Sequence, residues 1–255
     1  MYISHIIFDV YCAIMYIILE GIMLCKFANF FVEINPLYDY TKKMIKFFET
    51  DETPTSDVIT VGDKFTVDDY KKYNSLHPEV PIDEAEHVYL SFDFFEKILK
   101  YNAIMVHSSA LKYNGKCYLF SADSGVGKST HTSLWQEVYG DKVQIINDDK
   151  PIIRLENNKL IVYGSPFAGG TMKFQDDSAI LGAIVFLEQA PSNETLELRP
   201  KEIMCRLLPQ MLIAAWNPEM RVLAMEQLIS LMENYPVYLL RCTPDETAVQ
   251  CLENQ

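Results

Sequence analysis

The stretch Ala122-Asp123-Ser124-Gly125-Val126-Gly127-Lys128-Ser129-Thr130 sets small, flexible residues against a lysine and two hydroxyls at the spacing of a phosphate cradle. In loops of the pattern G-x-x-x-x-G-K-[ST], backbone N–H groups wrap the phosphates, the lysine reaches the outer ones and the hydroxyl ligates magnesium. Gly127, Lys128 and Ser129 fit, and Ala122 stands where the first glycine is expected. Alanine can occupy that position if its φ stays negative. Further on, Asp148 and Asp149 close an apolar run. The magnesium of a bound nucleotide needs a carboxylate besides the Ser129 hydroxyl, and an attacking hydroxyl needs a group to take its proton. The two carboxylates can divide those tasks. His107 ends another apolar run, 103–107, just before the loop. A lone histidine there is more often structural, but its place beside the phosphate strand makes it a candidate. Ser108 and Ser109 next to it have the chemistry to bind phosphate or to serve local hydrogen bonds.

These residues need elements to hold them. Residues 116–121 have the apolarity of a buried strand, and 130–139 carries Leu134, Trp135 and Val138 at helical spacing before Gly140. Strand, glycine loop and helix N-terminus in that order aim the positive end of the helix dipole at an anion. Residues 142–147 read as the next strand, which puts the carboxylate pair at the end where open α/β sheets bind ligands. Strands are also expected at 30–34, 57–61, 152–155, 160–163, 183–187 and 237–241. Helices are expected at 40–48, 68–73, 92–101, 200–216 (interrupted at Pro209) and 219–234, with 76–84 irregular around its prolines. Thr243, Pro244 and the following acids predict a capped C-terminal helix. The fold class expected is α/β, a mixed sheet with flanking helices.

A chain of 255 residues with 49% hydrophobic content can bury a sizeable core. Asp and Glu number 35 against 22 Lys and Arg, a net charge of −13, and no basic run supplies a nucleic-acid face. Such a surface suits a basic peptide or protein partner, or serves solubility alone. The cysteines Cys12, Cys25, Cys117, Cys205, Cys242 and Cys251 show neither C-x-x-C pairs nor zinc spacing, so a reducing cytoplasm is the simpler expectation. The stretch 6–24 is strongly apolar but holds Asp9 and Glu20, which argue against a membrane span. No basic residue precedes it and no small-residue cleavage site follows it, against a secretory signal. A packed helix, or an upstream extension with the functional start at Met23, are the competing readings.

Taken together, His107, Asp123 to Ser129 and Asn147-Asp148-Asp149 resemble the catalytic domain of HPr kinase/phosphorylase, which shares its nucleotide site with ATP-dependent phosphoenolpyruvate carboxykinase. The His-Ser-Ser, Ser-Gly-x-Gly-Lys-Ser-Thr-His, Leu-Trp and Asn-Asp-Asp-Lys-Pro runs are similar to those of small bacterial HPr-kinase-like proteins, some of which phosphorylate a peptide serine. The resemblance covers residues from about 27 to the C-terminus, densest over 107–167. It implies an ATP- and magnesium-dependent P-loop kinase acting on a serine of a peptide or protein. It further implies phosphate contacts from Asp123, Ser124, Gly125, Val126, Gly127, Lys128, Ser129 and Thr130, magnesium on Ser129 and Asp149, Asp148 as base and His107 near the transferred phosphate. The two carboxylate roles are exchangeable. The organisation it suggests is an apolar extension 1–26, an α+β part 27–101 of the same domain and a kinase core 102–255, and homo-oligomers are compatible with it. Relatives often read Pro-Trp-Ser-Gly-Lys where this chain has Pro166-Phe167-Ala168-Gly169-Gly170, and Lys173 is near enough in sequence to replace that lysine. A nucleotide-binding module without catalysis, and carboxykinase chemistry on a small acid, are the rival readings.

Overall fold

The computed structural model describes residues 21–123, 125–169, 172–213 and 217–253. The expectations for residues 6–20, for Ser124 and Gly170, and for 214–216 at the end of the helix expected over 200–216, lie outside them. The chain divides into two compact units, Met1–Phe94 and Phe95–Gln255. In the first, strand β1 (Met23–Phe27) turns through Ala28 and Asn29, both at positive φ, into β2 (Phe30–Ile34). A two-residue turn of that kind matches the natural twist of a hairpin. Strand β3 (Val58–Val61) joins β2 in parallel, completing a three-stranded sheet. Helices α1 (Asp39–Lys46), α2 (Val67–Leu76) and α3 (Ile82–Ile98) accompany it. The buried Glu86 of α3 accepts the backbone N–H of Leu37 at 2.6 Å and of Tyr38 at 3.2 Å, so its carboxylate orders the stretch ahead of α1. Burial raises that carboxyl's pKa against those hydrogen bonds.

The second unit carries the candidate residues. Its strands are β4 (Ala103–Met105), β5 (Ser109–Tyr113), β6 (Lys116–Ser121), β7 (Val143–Asn147), β8 (Ile152–Glu156), β9 (Lys159–Tyr163), β10 (Ser178–Gln189), β11 (Glu194–Glu197) and β12 (Val237–Cys242). The main path of this mixed sheet runs β4-β8-β9-β10-β6-β5-β7, with β12 paired to β10 and β11 to β12. Helices α4 (Lys128–Tyr139), α5 (Pro200–Leu207), α6 (Pro218–Asn234) and α7 (Glu246–Glu253) flank it. Alternation along each strand divides the side chains between two cores. Leu119 of β6, Ile184 of β10 and Leu239 of β12 meet Leu207 of α5 and Leu228 of α6. Phe120, Val185 and Leu240, one residue on in each strand, meet Trp135 of α4 and Val249 of α7. The alternation slips at Gly182, where β10 bulges against β6 and a Cβ would lie 3.2 Å from the Lys116 and Tyr118 side chains.

Register places the site. Strand β5 lies antiparallel between β6 and β7, with Ser109 opposite Phe120 and Ala110 opposite Asn147. The start of β5 therefore meets the ends of both neighbours, and one sheet edge gathers residues 107–109, the glycine loop and the carboxylate pair.

Several expected elements differ. The helix expected over 92–101 is the tail of α3, which starts at Ile82 directly after Pro81 and runs into a 3-10 turn, Leu99–Tyr101. Strand β10 has 12 residues, against the five expected, because its two halves use different partners on one edge: β9 pairs at Ser178–Ile180 and β12 at Ile184–Gln189. Strands β1 and β11 were not expected. The cap of α7 is Asp245, whose carboxylate accepts the Thr247 N–H at 2.9 Å, while Thr243 donates to Asn193. Among the described residues no helix is long and apolar enough to cross a membrane, and Cys25, Cys117, Cys205, Cys242 and Cys251 are free thiols.

Candidate active site

The glycine loop leaves β6 and enters α4 through Gly127, whose φ of 118° only glycine adopts without strain. Gly125 also has positive φ, at 80°. Ala122 does not have a positive φ and is buried, so its Cβ brings no left-handed backbone strain there. Thr130 lies in the first turn of α4, where N–H groups have no helical acceptor and the dipole favours an anion. Lys128 folds back, its Nζ 3.0 Å from the Ala122 carbonyl. Burial lowers the pKa of its ammonium, with Asp149, Asp148 and Asp123 pulling the other way.

The two carboxylates after β7 face different partners. Asp148 is buried and accepts the Ser109 hydroxyl at 2.5 Å and the Ser129 hydroxyl at 3.1 Å. Asp149 faces His107 Nε2 at 3.0 Å through one oxygen and Lys150 Nζ at 2.6 Å through the other. Burial alone would raise the Asp149 carboxyl, but the His107 hydrogen bond and the Lys150 charge together hold it at about 2. Asn147, fully buried, sets this divergence: its side-chain oxygen accepts the N–H groups of Asp149 (2.9 Å) and Lys150 (2.7 Å), and its amide donates to Ser165. An asparagine closing its own turn is a local device that fixes the chain direction after a strand.

Sequence reasoning named His107, Lys128, Ser129, Asp148 and Asp149 as candidates, and the structure brings all five together. It places Ser129 against Asp148, not Asp149. It also adds two residues, Lys150 and Gln210, and separates the two serines beside His107. Ser109 holds Asp148; Ser108 instead donates to the Val106 carbonyl and is wholly buried. Lys150 is the ammonium beside Asp149, whereas Lys173 is exposed and contributes only its carbonyl to the Asp148 N–H, at 3.0 Å. Gln210, after α5, approaches His107 Nδ1 at 3.1 Å. Ser109 had a sequence signal in its place beside His107 and Lys150 in its adjacency to the carboxylates, whereas Gln210 had none. Phe167 and Ala168, the positions that the family resemblance compares with Trp-Ser, are buried, and Phe167 packs edge-on to Phe95 at 5.5 Å.

Two clefts flank the loop. One, of about 530 Å³, is lined by Gly125 to Gly127, Thr130, His131, Leu134 and the segments around Ala190 and Thr243. The other, of about 650 Å³, is bounded by Asp123, Val126, Glu188, Arg206 and Gln210. His131 is buried, and burial pushes its imidazole down to about 4. Its Nε2 accepts the Trp135 indole N–H at 3.1 Å, which requires an unprotonated nitrogen.

Among the described residues no group of three His, Cys, Asp or Glu could hold a metal alone. Magnesium on a nucleotide does not need one, since phosphates and water supply most of its oxygen ligands. The all-oxygen pair of Ser129 and Asp148 fits such an ion.

No protein-family model and no curated protein matches the chain. Among solved structures, the Hpr(Ser) kinase/phosphatase from Coxiella burnetii is similar at 15% identity and a TM-score of 0.36, over 59% of this chain and 94% of that one.

Proposed function

We propose that the chain is an ATP- and magnesium-dependent phosphotransferase that moves the γ-phosphoryl group to a hydroxyl, the acceptor being a serine of a peptide or protein. The observation that carries this reading is the meeting of Ser129 and Asp148 at 3.1 Å, directly after Lys128 on a glycine loop that opens a helix. The loop amides and Lys128 hold the β and γ phosphates, and the 530 Å³ cleft takes the nucleoside. Ser129 and Asp148 hold magnesium, which neutralises phosphate charge when bound. Asp149, fixed by His107 and Lys150, orients the acceptor hydroxyl. Oxygen bonds to the γ phosphorus as its bond to the β–γ bridging oxygen breaks; the hydroxyl proton passes to Asp149 and ADP leaves. A carboxylate of low pKa suffices because the proton becomes acidic only as the new bond forms. These roles exchange the two carboxylates relative to the assignment the family resemblance implies.

Incubation with labelled ATP, magnesium and serine-bearing peptides tests the transfer, with Lys128→Ala as the control. The variant should lose about 100-fold or more of its turnover with an unchanged circular-dichroism spectrum. Wild-type turnover in that variant would overturn the mechanism, and ATP binding without turnover in the wild type would favour a nucleotide-binding module.

A further inference from the structure

We infer that Gln210 is a positioning residue: it grips His107 so that the imidazole presents Nε2, and not a ring carbon, to Asp149. The inference rests on the phosphotransfer reading only for its functional consequence. Gln210 holds His107 twice. Its backbone carbonyl accepts the His107 N–H at 2.7 Å, and its side-chain oxygen lies 3.1 Å from His107 Nδ1. The neighbouring residues Val106 and Met211 pair as an isolated antiparallel bridge, so the two segments run side by side.

The chemistry of the amide fixes the direction of the side-chain contact. An amide oxygen only accepts and an amide nitrogen only donates. Gln210 Nε2 reaches Asp123 Oδ1 at 3.5 Å, a long contact whose polarity is nonetheless unambiguous, because a carboxylate only accepts. Turning the amide over would set its oxygen against the Asp123 carboxylate and its N–H₂ against the ring. Oε1 therefore faces His107 and accepts from Nδ1–H, just as the Asp149 carboxylate, which also only accepts, takes its hydrogen bond from Nε2–H, so both ring nitrogens donate. A half-turn of the imidazole would leave Oε1 facing a C–H and withdraw Nε2 from Asp149, now 3.0 Å away. The ring is more than a third exposed, with side-chain accessibility of 37%, so packing alone does not lock it. Asp123, Gln210, His107 and Asp149 thus form one chain from the start of the glycine loop to the carboxylate that meets the acceptor, and its first two members bound the 650 Å³ cleft.

The test is a double-mutant cycle on the full chain with Gln210→Leu and His107→Ala, read as turnover of MgATP to ADP and phosphate. Gln210→Leu keeps the shape and removes the acceptor. It should lower kcat about 10-fold with the KM for ATP within about twofold, and should change turnover less than about twofold in the His107→Ala background. Equal effects in both backgrounds, or a loss confined to KM, would overturn the inference. A second measurement does not depend on activity: two-bond ¹H–¹⁵N histidine spectra should show both ring nitrogens of His107 carrying hydrogen in the wild type, and the Nδ1 hydrogen lost in Gln210→Leu with Nε2–H kept against Asp149. An unprotonated Nδ1 in the wild type, or identical spectra in the two proteins, would also overturn it. Absence of ATP turnover in the wild type would sink the phosphotransfer reading and leave the spectra to decide the role of Gln210.

Discussion

Asp148 and Asp149 are adjacent, yet one is held by hydroxyls and the other by cations. That difference separates their roles experimentally. Asp148→Asn should raise the magnesium concentration for half-maximal turnover about 10-fold or more, because an amide is a poor magnesium ligand beside Ser129. Asp149→Asn should leave the magnesium requirement nearly unchanged and lower kcat about 100-fold, since an amide cannot take the hydroxyl proton. Magnesium titrations of both variants check this, and the opposite pattern would restore the assignment drawn from family resemblance. The residue types and their order along the chain were legible in the sequence, because the glycine loop and the Asp-Asp end of a strand are local patterns. Which carboxylate meets Ser129 was not legible. It depends on the Asn147 turn and on Ser109 from the strand between, and Gln210 reaches His107 across 103 residues of chain. Contacts of that span leave no local spacing to read.

Among the elements, β6, β8 and β9 were legible because each is a short apolar run bounded by turn residues, whereas α3 was hidden by its own start signal. Pro81 sits just outside the helix, where a proline needs no partner for its nitrogen, and its carbonyl accepts the Ala85 N–H at 2.8 Å. Reading prolines only as breakers moved that helix start ten residues along. Helix α4 has a further property that no motif announced. Trp135 sits 5.2 Å from Tyr113 and 5.4 Å from Tyr139, centroid to centroid, and keeps His131 buried against Phe120. The unfolded chain protonates His131 below about pH 6.5, while the folded chain does so only below about 4. Stability therefore rises with pH across that window and is lost on acidification, by about 3 kcal/mol from this group. His131→Gln keeps an acceptor for the indole N–H without titrating. Urea unfolding at pH 7 and pH 4.5 should show a much smaller difference for the variant than for the wild type. An equal difference in the two proteins would mean that other groups govern the acid sensitivity. Asp149 acts in a lower window: its share is complete above about 3.8 and is lost as pH falls through about 2.

At the scale of the whole molecule, the charge of −13 opposes the anionic substrate that the glycine loop is proposed to hold. Three of the arginines are taken up by carboxylates and do not relieve this. Arg206 and Arg241 both bind Glu188, Arg241 also binds Glu194, and Arg199 is tied to Glu202. Arg241 is distant in sequence from Arg199 and Arg206, yet all three line one groove. Their carboxylate partners consume the charge that a small-acid pocket of the carboxykinase kind would need. Attraction for phosphate is therefore confined to short range, to Lys128 and the helix amides, while the long-range field repels. Salt distinguishes the two, because screening acts over about 10 Å at 0.1 M and leaves contacts within a cleft largely intact. Raising sodium chloride from about 25 to about 200 mM should speed the association of a fluorescent ATP analogue with magnesium, or leave it unchanged, and a lysine-rich serine peptide should associate more slowly over the same range. Stopped-flow measurement of both rates checks the pair of signs. A fall in the nucleotide rate would mean that the cleft presents a positive field to solvent despite the net charge, and a rise in the peptide rate would remove basic peptides from the acceptors this surface favours.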